Sequence, residues 1–256
     1  MKRANSAGLL AAAVLAGGAA TVSAATPSPK EVVEQFFKAH NKHDAEASAA
    51  LCHPDAALWR LGEQKPAEAG RDALRRFFLD QFKENPKIKS KIVQAMELPP
   101  WVGVQEKVTT EPGEPARDRL LVFEVLDGTI RRIWTMRLDE ANDEPAGGEG
   151  TVALQIEKWN ERDLPRLVAT YDEGATISDL STGERLAAGE EALRDRFEKV
   201  LEDSPHLRVE VLQHMSLGPW VVYRERSTTG PQDKQTDAIA IYEVRDDRIR
   251  RVWLAR

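Results

Sequence analysis

The stretch Tyr242-Glu243-Val244-Arg245-Asp246-Asp247-Arg248-Ile249-Arg250-Arg251-Val252-Trp253-Leu254-Ala255-Arg256 has already been written once in the same chain. It answers Phe123-Glu124-Val125-Leu126-Asp127-Gly128-Thr129-Ile130-Arg131-Arg132-Ile133-Trp134-Thr135-Met136-Arg137 at an offset of 119 positions. Each copy reads as a β-hairpin, with a β-branched and aromatic run, a turn at Asp127-Gly128 or Asp246-Asp247, and a second alternating run. Laying residues 151–256 on 32–137 needs no gap and gives 32 identities in 106 positions. The identities fall where geometry is demanding: Asn41 with Asn160, Asp44 with Asp163, Gly70 with Gly189, Pro86 with Pro205, and Pro100-Trp101-Val102 with Pro219-Trp220-Val221. One fold has been duplicated in tandem. Each unit of about 110 residues is large enough for a core of its own.

Working outward from the hairpin, each unit reads as helices followed by strands. Ser28-Pro29-Lys30-Glu31 is a capping box with Pro at the first helical position, opening an amphipathic helix through Val33, Phe36 and Phe37 to about Asn41. Asp44 caps a second, shorter helix, which Pro54-Asp55 is expected to end ahead of a short extended piece from Ala57 to Leu61. Gly70 starts a third helix with Leu74, Phe77, Phe78 and Phe82 at three-and-four spacing. Period-two segments around 88–96, 101–109, 120–126 and 130–136 then form a four-strand meander. Residues 139–150 are acidic and Gly-rich and read as a linker, so the expected units are 28–138 and 151–256.

The first 25 residues stand apart. Met1-Lys2-Arg3 is a basic start, residues 7–20 are an apolar run rich in Ala, Leu and Gly, and Val22-Ser23-Ala24 or Ser23-Ala24-Ala25 offers a small-residue cleavage site. This is the pattern of a secretory signal peptide, and the run is too short and Gly-rich for an anchor. The expectation is a periplasmic or secreted protein with no membrane span after cleavage. Losing Lys2 and Arg3 moves the formal charge from -6 to -8, which disfavours nucleic acid as a partner. Cys52 is the single cysteine, so no internal disulfide can form, and five scattered His residues offer no metal-ligand spacing. Neither metal nor cofactor is called for.

Helices can cover one face of such a sheet, and the other face needs a partner. Alternation in the hairpins sets Glu124, Arg132 and Trp134, with Glu243, Arg251 and Trp253, apart from their apolar neighbours. The two units are therefore expected to pack sheet to sheet as a pseudo-dimer, with Glu of one copy paired to Arg of the other.

The order of elements, the Trp159-Asn160-Glu161-Arg162-Asp163 helix end, the Gly189-Glu190-Glu191-Ala192-Leu193 helix start and the closing hairpin resemble the SnoaL-like branch of the nuclear transport factor 2-like superfamily. The resemblance implies an α+β fold of two tandem cone-shaped barrels, each with three helices packed on a curved, mainly antiparallel sheet around an apolar pocket. It implies a small apolar ligand, with Gln155, Trp159, Tyr242, Val252 and Leu254 of the second unit as pocket residues. Ala175-Thr176-Ile177-Ser178-Asp179 resembles the segment that carries the general base of ketosteroid isomerase, which places that role on Asp179; Arg60 stands there in the first unit. The oxyanion-hole positions of that enzyme are held by Gln155 and Ala240, and by Phe36 and Leu121 in the first unit. No complete catalytic set is present, so the primary expectation is a binding module. The alternative is an isomerase or dehydratase that moves a proton through Asp179. His40, His43 and His53 read as a polar helix end, Trp101 and Trp220 as packing residues, and Glu106 and Glu225, set among basic residues, as members of surface ladders.

Overall fold

The structure, a computed structural model, describes residues 26–136, 148–229 and 234–256. The expected signal peptide and most of the expected linker lie outside the described residues. In the first unit α1 (Pro29–His40) and α2 (Ala45–Ala50) lead into β1 (Cys52–Arg60), β2 (Glu68–Ala69) and α3 (Arg71–Glu84). The meander follows as β3 (Lys89–Leu98), β4 (Trp101–Thr109), β5 (Arg117–Leu126) and β6 (Thr129–Met136). The second unit repeats this as α4 (Gly148–Glu161), α5 (Leu164–Ala169), β7 (Tyr171–Asp179), β8 (Arg185–Ala188), α6 (Glu190–Asp203), β9 (Arg208–Leu217), β10 (Trp220–Thr229), β11 (Lys234–Arg245) and β12 (Arg248–Ala255).

Each sheet has six strands, in the order β2-β1-β6-β5-β4-β3 and β8-β7-β12-β11-β10-β9. The β1–β6 and β7–β12 pairs are parallel and the rest antiparallel. This is a tandem α+β fold, with helices against each sheet.

Local chemistry explains the frame. Ser28 and Glu31 form the capping box at α1, with Ser28 Oγ accepting from the Glu31 N–H at 3.2 Å and Glu31 Oε2 accepting from the Ser28 N–H at 2.7 Å. Asp44 and Asp163 cap the second helix of each unit by accepting from Ala47 and Arg166 N–H groups. The paired asparagines close each first helix onto an edge strand: Asn41 exchanges two hydrogen bonds of 2.7 Å with the Ser90 backbone, and Asn160 does the same with Val209 at 2.8 and 2.9 Å. The hairpin turns carry positive φ at both central residues, 52° and 71° at Asp127-Gly128 and 52° and 55° at Asp246-Asp247, which matches the twist of the flanking strands.

Two boundaries differ from expectation. Pro54 and Asp55 do not end α2; they lie inside β1, which starts at Cys52 and shifts register between Cys52 and Ala57. A bulge of that kind is where a strand tolerates proline. Residues 148–150, read as the end of the linker, form the first turn of α4, and so Gly148 and Gly150 are helical.

Period two divides each sheet into two apolar faces. Val102, Val104, Phe123 and Ile133 join the first-unit helices in one core, and Val221, Tyr223, Tyr242 and Val252 do the same in the second. The opposite faces contribute to a third cluster drawn from both units: Leu61, Met96, Trp101, Leu120 and Val122 with their repeat mates Leu180, Met215, Trp220, Ile239 and Ile241. Trp101 Nε1 donates to the Arg256 carbonyl at 3.3 Å, and Gln94 donates to the His214 carbonyl at 2.8 Å. No helix among the described residues is long and apolar enough to cross a membrane.

Candidate functional site

The second unit encloses a cavity of about 340 Å³ between helices and sheet. On α4 the one-turn spacing of Gln155 and Trp159 turns both toward it, α6 adds Phe197 and Val200, and β7 and β12 supply Ile177, Val252 and Leu254 as apolar wall. All five residues expected in the pocket, Gln155, Trp159, Tyr242, Val252 and Leu254, line this one cavity. Trp159 meets the Phe197 ring edge-on at 5.0 Å.

Its polar groups are few and interlocked. Glu225 on β10 accepts a hydrogen bond of 2.6 Å from the Tyr242 hydroxyl on β11. Burial raises the Glu225 carboxyl to about 7, against the opposing effects of the Tyr242 hydrogen bond and the Arg256 charge. Burial, reinforced by the Glu225 charge, also raises Tyr242 and Tyr171, both far enough to keep the phenols neutral. Gln155 Nε2 donates to the Tyr171 hydroxyl at 3.2 Å, which leaves the buried Gln155 Oε1 with no partner among the described residues. A carboxyl whose proton is in balance near neutrality, hydrogen-bonded to a phenol in an apolar cavity, can donate to or accept from a bound carbonyl or hydroxyl.

Glu225 was read from sequence as part of a surface ladder, and the structure corrects this, as it does for Glu106. Glu106 is 3% exposed, and burial raises its carboxyl. The signal was available. On β4 the alternate positions Val102, Val104, Glu106 and Val108 form one face, and a lone carboxylate on an apolar face points into the core.

The first unit has a smaller cavity, about 140 Å³, and phenylalanine replaces a polar side chain at two lining positions, Phe36 for Gln155 and Phe77 for Arg196, while Phe123, the repeat mate of Tyr242, is buried in the core. His40, expected at a polar helix end, is instead buried against this cavity, its Nε2 2.9 Å from Gln81 Oε1. Burial lowers its pKa. His43 stacks on Phe82 and His53 lies beside Asp55, so the three do not converge. Among the described residues no group of three or more His, Cys, Asp or Glu is arranged to hold a metal ion.

Asp179 sits elsewhere. It ends β7, and its Oδ1 accepts from the Thr182 N–H and hydroxyl at 2.8 and 3.0 Å, closing the turn into β8. It borders a separate cleft, also lined by Arg60, Trp134 and Trp253, and not the cone that holds Glu225. A carboxylate with two local donors has its lone pairs engaged in the turn.

The hairpin residues expected at an interface are arranged differently from the expected cross-copy pairing. Glu124 lies 3.4 Å from Arg132, its direct cross-strand neighbour, and Glu243 pairs likewise with Arg251. Each Glu pairs within its own hairpin because register places the Arg opposite it. The guanidinium groups then reach the other unit. Arg132 donates to the Ser181 carbonyl, and Arg251 lies against Gly62, the repeat mate of Ser181. Trp134 and Trp253 pack beside the Trp101 and Trp220 rings at 5.7 and 6.0 Å.

With this geometry in view, comparison with known proteins is direct. The SnoaL-like domain family matches residues 33–133 and again 152–252, most of the chain, and the protein belongs to that family. Its solved structural neighbours are distant in sequence. It is 20% identical to an uncharacterized cystatin fold protein from Novosphingobium aromaticivorans, covering 43% of this chain and 99% of that one with a TM-score of 0.40. It is 20% identical to a SnoaL-like polyketide cyclase from Agrobacterium tumefaciens, covering 42% and 88% with a TM-score of 0.36. A nuclear transport factor 2-like protein from Cytophaga hutchinsonii is 15% identical, covering 44% and 91% with a TM-score of 0.36. No curated protein matches the chain.

Proposed function

We propose that this is an exported binding protein whose second unit takes a small, mainly apolar molecule into its cone, where the few polar lining groups, Glu225 and Tyr242 among them, fix its orientation. The observation that carries the reading is the 2.6 Å carboxyl–phenol hydrogen bond facing a cavity of about 340 Å³ with apolar walls. The first cone, with less than half that space and phenylalanine at two of the polar lining positions, is the lesser site. The test is a thermal-shift and calorimetric screen of the full chain against steroids, planar aromatic ketones and fatty acids. At least one class should stabilise the protein, and Val200→Phe, which fills the cavity from α6, should abolish the effect while the circular dichroism spectrum is unchanged. A screen in which nothing shifts, or in which Val200→Phe binds as well as the parent, defeats the reading.

A second reading follows from the same carboxyl: proton transfer to or from an enone, an isomerase or lyase activity, with Glu225 as acid and base in place of Asp179. General acid–base groups contribute on the order of 10²- to 10⁴-fold in rate, so Glu225→Gln should reduce kcat/KM by at least about a hundredfold while Asp179→Asn leaves it unchanged. The opposite pattern would return the role to Asp179.

Two further elements belong to the proposal. The first 25 residues direct export to the periplasm or beyond, checked by the amino-terminal sequence of the protein recovered from fractionated cells. The two units form an intramolecular pseudo-dimer, sheet against sheet, supported by the third cluster and its repeat-related pairs. Residues 148–256 expressed alone should expose Trp220 and Ile241 and self-associate; a monomer of undiminished stability would contradict this arrangement.

A further inference from the structure

The cone of the second unit has a feature that its apolar walls and its carboxyl do not explain. Arg196, on α6, and Arg256, just beyond β12, both border the cavity. Among the described residues neither guanidinium has a hydrogen-bond or ion-pair partner, whereas Arg224 and Arg226 on β10 share Asp237 at 2.7 to 3.0 Å. Arg196 is half-buried, and burial together with the Arg256 charge lowers its proton affinity. The two cations bordering one cavity repel each other, and the Glu225 carboxyl, on which the Arg256 charge acts, offsets this only in part. An anion between them removes that penalty and takes the planar donors of both.

We infer that the ligand of the second cone is a carboxylate with an apolar body, its carboxylate held between Arg196 and Arg256 at the cone mouth and its body among Trp159, Phe197 and Leu254. The inference rests on the cone being a binding site, and it names the ligand class. A guanidinium pair suits a carboxylate because the two oxygens can each accept in the plane of a donor fork. The apolar wall behind it selects the body by shape and area, at about 25 cal/mol for each Å² removed from water. The first cone differs: Phe77 stands at the place of Arg196, and the arginines that line it, Arg60 and Arg119, are paired with Glu63 and Glu106. Among the described residues, the duplication has thus left one cone bordered by two unpaired guanidinium groups and one whose guanidinium groups are paired. Arg256 is also fixed from outside its own unit, because its carbonyl accepts from the Trp101 indole.

The experiment compares matched probes on the full chain: 2-naphthoate against 2-naphthamide, and decanoate against methyl decanoate, by isothermal titration calorimetry. Each acid should bind roughly tenfold or more tightly than its neutral partner, which is about 1.4 kcal/mol. Arg196→Met, which keeps the apolar stem and removes the charge, should erase that tenfold for the acid and leave the amide nearly unaffected. Added salt should weaken the acids alone. If the amide and ester bind as well as the acids, or if Arg196→Met weakens acid and amide equally, the cone binds apolar molecules but the carboxylate assignment is wrong. If neither member of either pair binds and the wider screen is also silent, the binding reading fails first and takes this inference with it. An unchanged thermal melt of Arg196→Met establishes that a loss is local.

Discussion

At the residue scale one carboxyl stands at the centre of the second cone. The Glu225 carboxyl is held at about 7 in the folded protein, above the 4.5 of an unburied glutamate. An acid raised on folding binds its proton more tightly in the native state, so its stabilising contribution is full below about 4.5 and is lost as pH rises to about 7. Glu225→Gln keeps an acceptor for Tyr242 and removes the charge. The variant should therefore gain on the parent between pH 5 and pH 8, by up to roughly 3 kcal/mol at about 1.4 kcal/mol per pH unit. Paired urea melts across that range read this difference directly, and a constant difference would show that Glu225 ionises freely. Asp179→Ala should behave as a turn substitution, costing about 1 kcal/mol and leaving ligand affinity untouched. The five pocket residues that the structure brings to one cavity were reached through the family resemblance, because they ride on elements with clear periodicity. Glu225 was missed because Arg224 and Arg226 flank it in sequence. In a strand those neighbours face the other way, and the face that Glu225 shares with Val221 and Tyr223 is apolar.

At the element scale, what was legible was what chain-local chemistry determines. Caps, the hairpin turns and the meander are set by a few residues each, and a duplicated sequence states them twice. Pairing across the two hairpins was not legible, since it depends on register. Glu124 and Glu243 were expected to pair with an arginine of the other copy; Glu124 does accept from the Ser181 hydroxyl there at 3.5 Å, but the arginine each Glu pairs with stands directly opposite it on the neighbouring strand. Proline in β1 misled for a similar reason: the bulge that accommodates it is a property of the β1–β6 pair and not of the Pro54 neighbourhood. The contact between elements of different units is open to a double-mutant cycle. Gly62 has φ of +88° and faces the Arg251 guanidinium. Gly62→Ala should cost about 2 kcal/mol in the parent, part from the strained backbone and part from displacing Arg251 off Glu243. In an Arg251→Ala background it should cost only about 1 kcal/mol. Equal costs in both backgrounds, measured by chemical denaturation, would mean that the turn and the hairpin do not meet.

At the scale of the whole molecule, duplication has kept the frame and let the two cones diverge. Sites that match between copies hold helix ends, turns and part of the shared apolar cluster; among those that differ, Gln155 and Arg196 line the second cavity where their repeat mates Phe36 and Phe77 line the first. Phe78 and Phe197 are kept at both cavities, and so is a carboxyl, Glu106 and Glu225, which burial raises in each unit while its surroundings changed. The account therefore makes one of two equivalent carboxyls the functional centre, and both can be watched in a single experiment. A carbon-13 NMR titration of the glutamate side chains in the full chain, with and without 2-naphthoate, should show one carboxyl with its midpoint near 7 that disappears in Glu225→Gln and moves upward when the ligand is present, while Glu106 does not respond to the ligand. A Glu225 midpoint at the unburied value of about 4.5, or a ligand response confined to Glu106, would contradict the account.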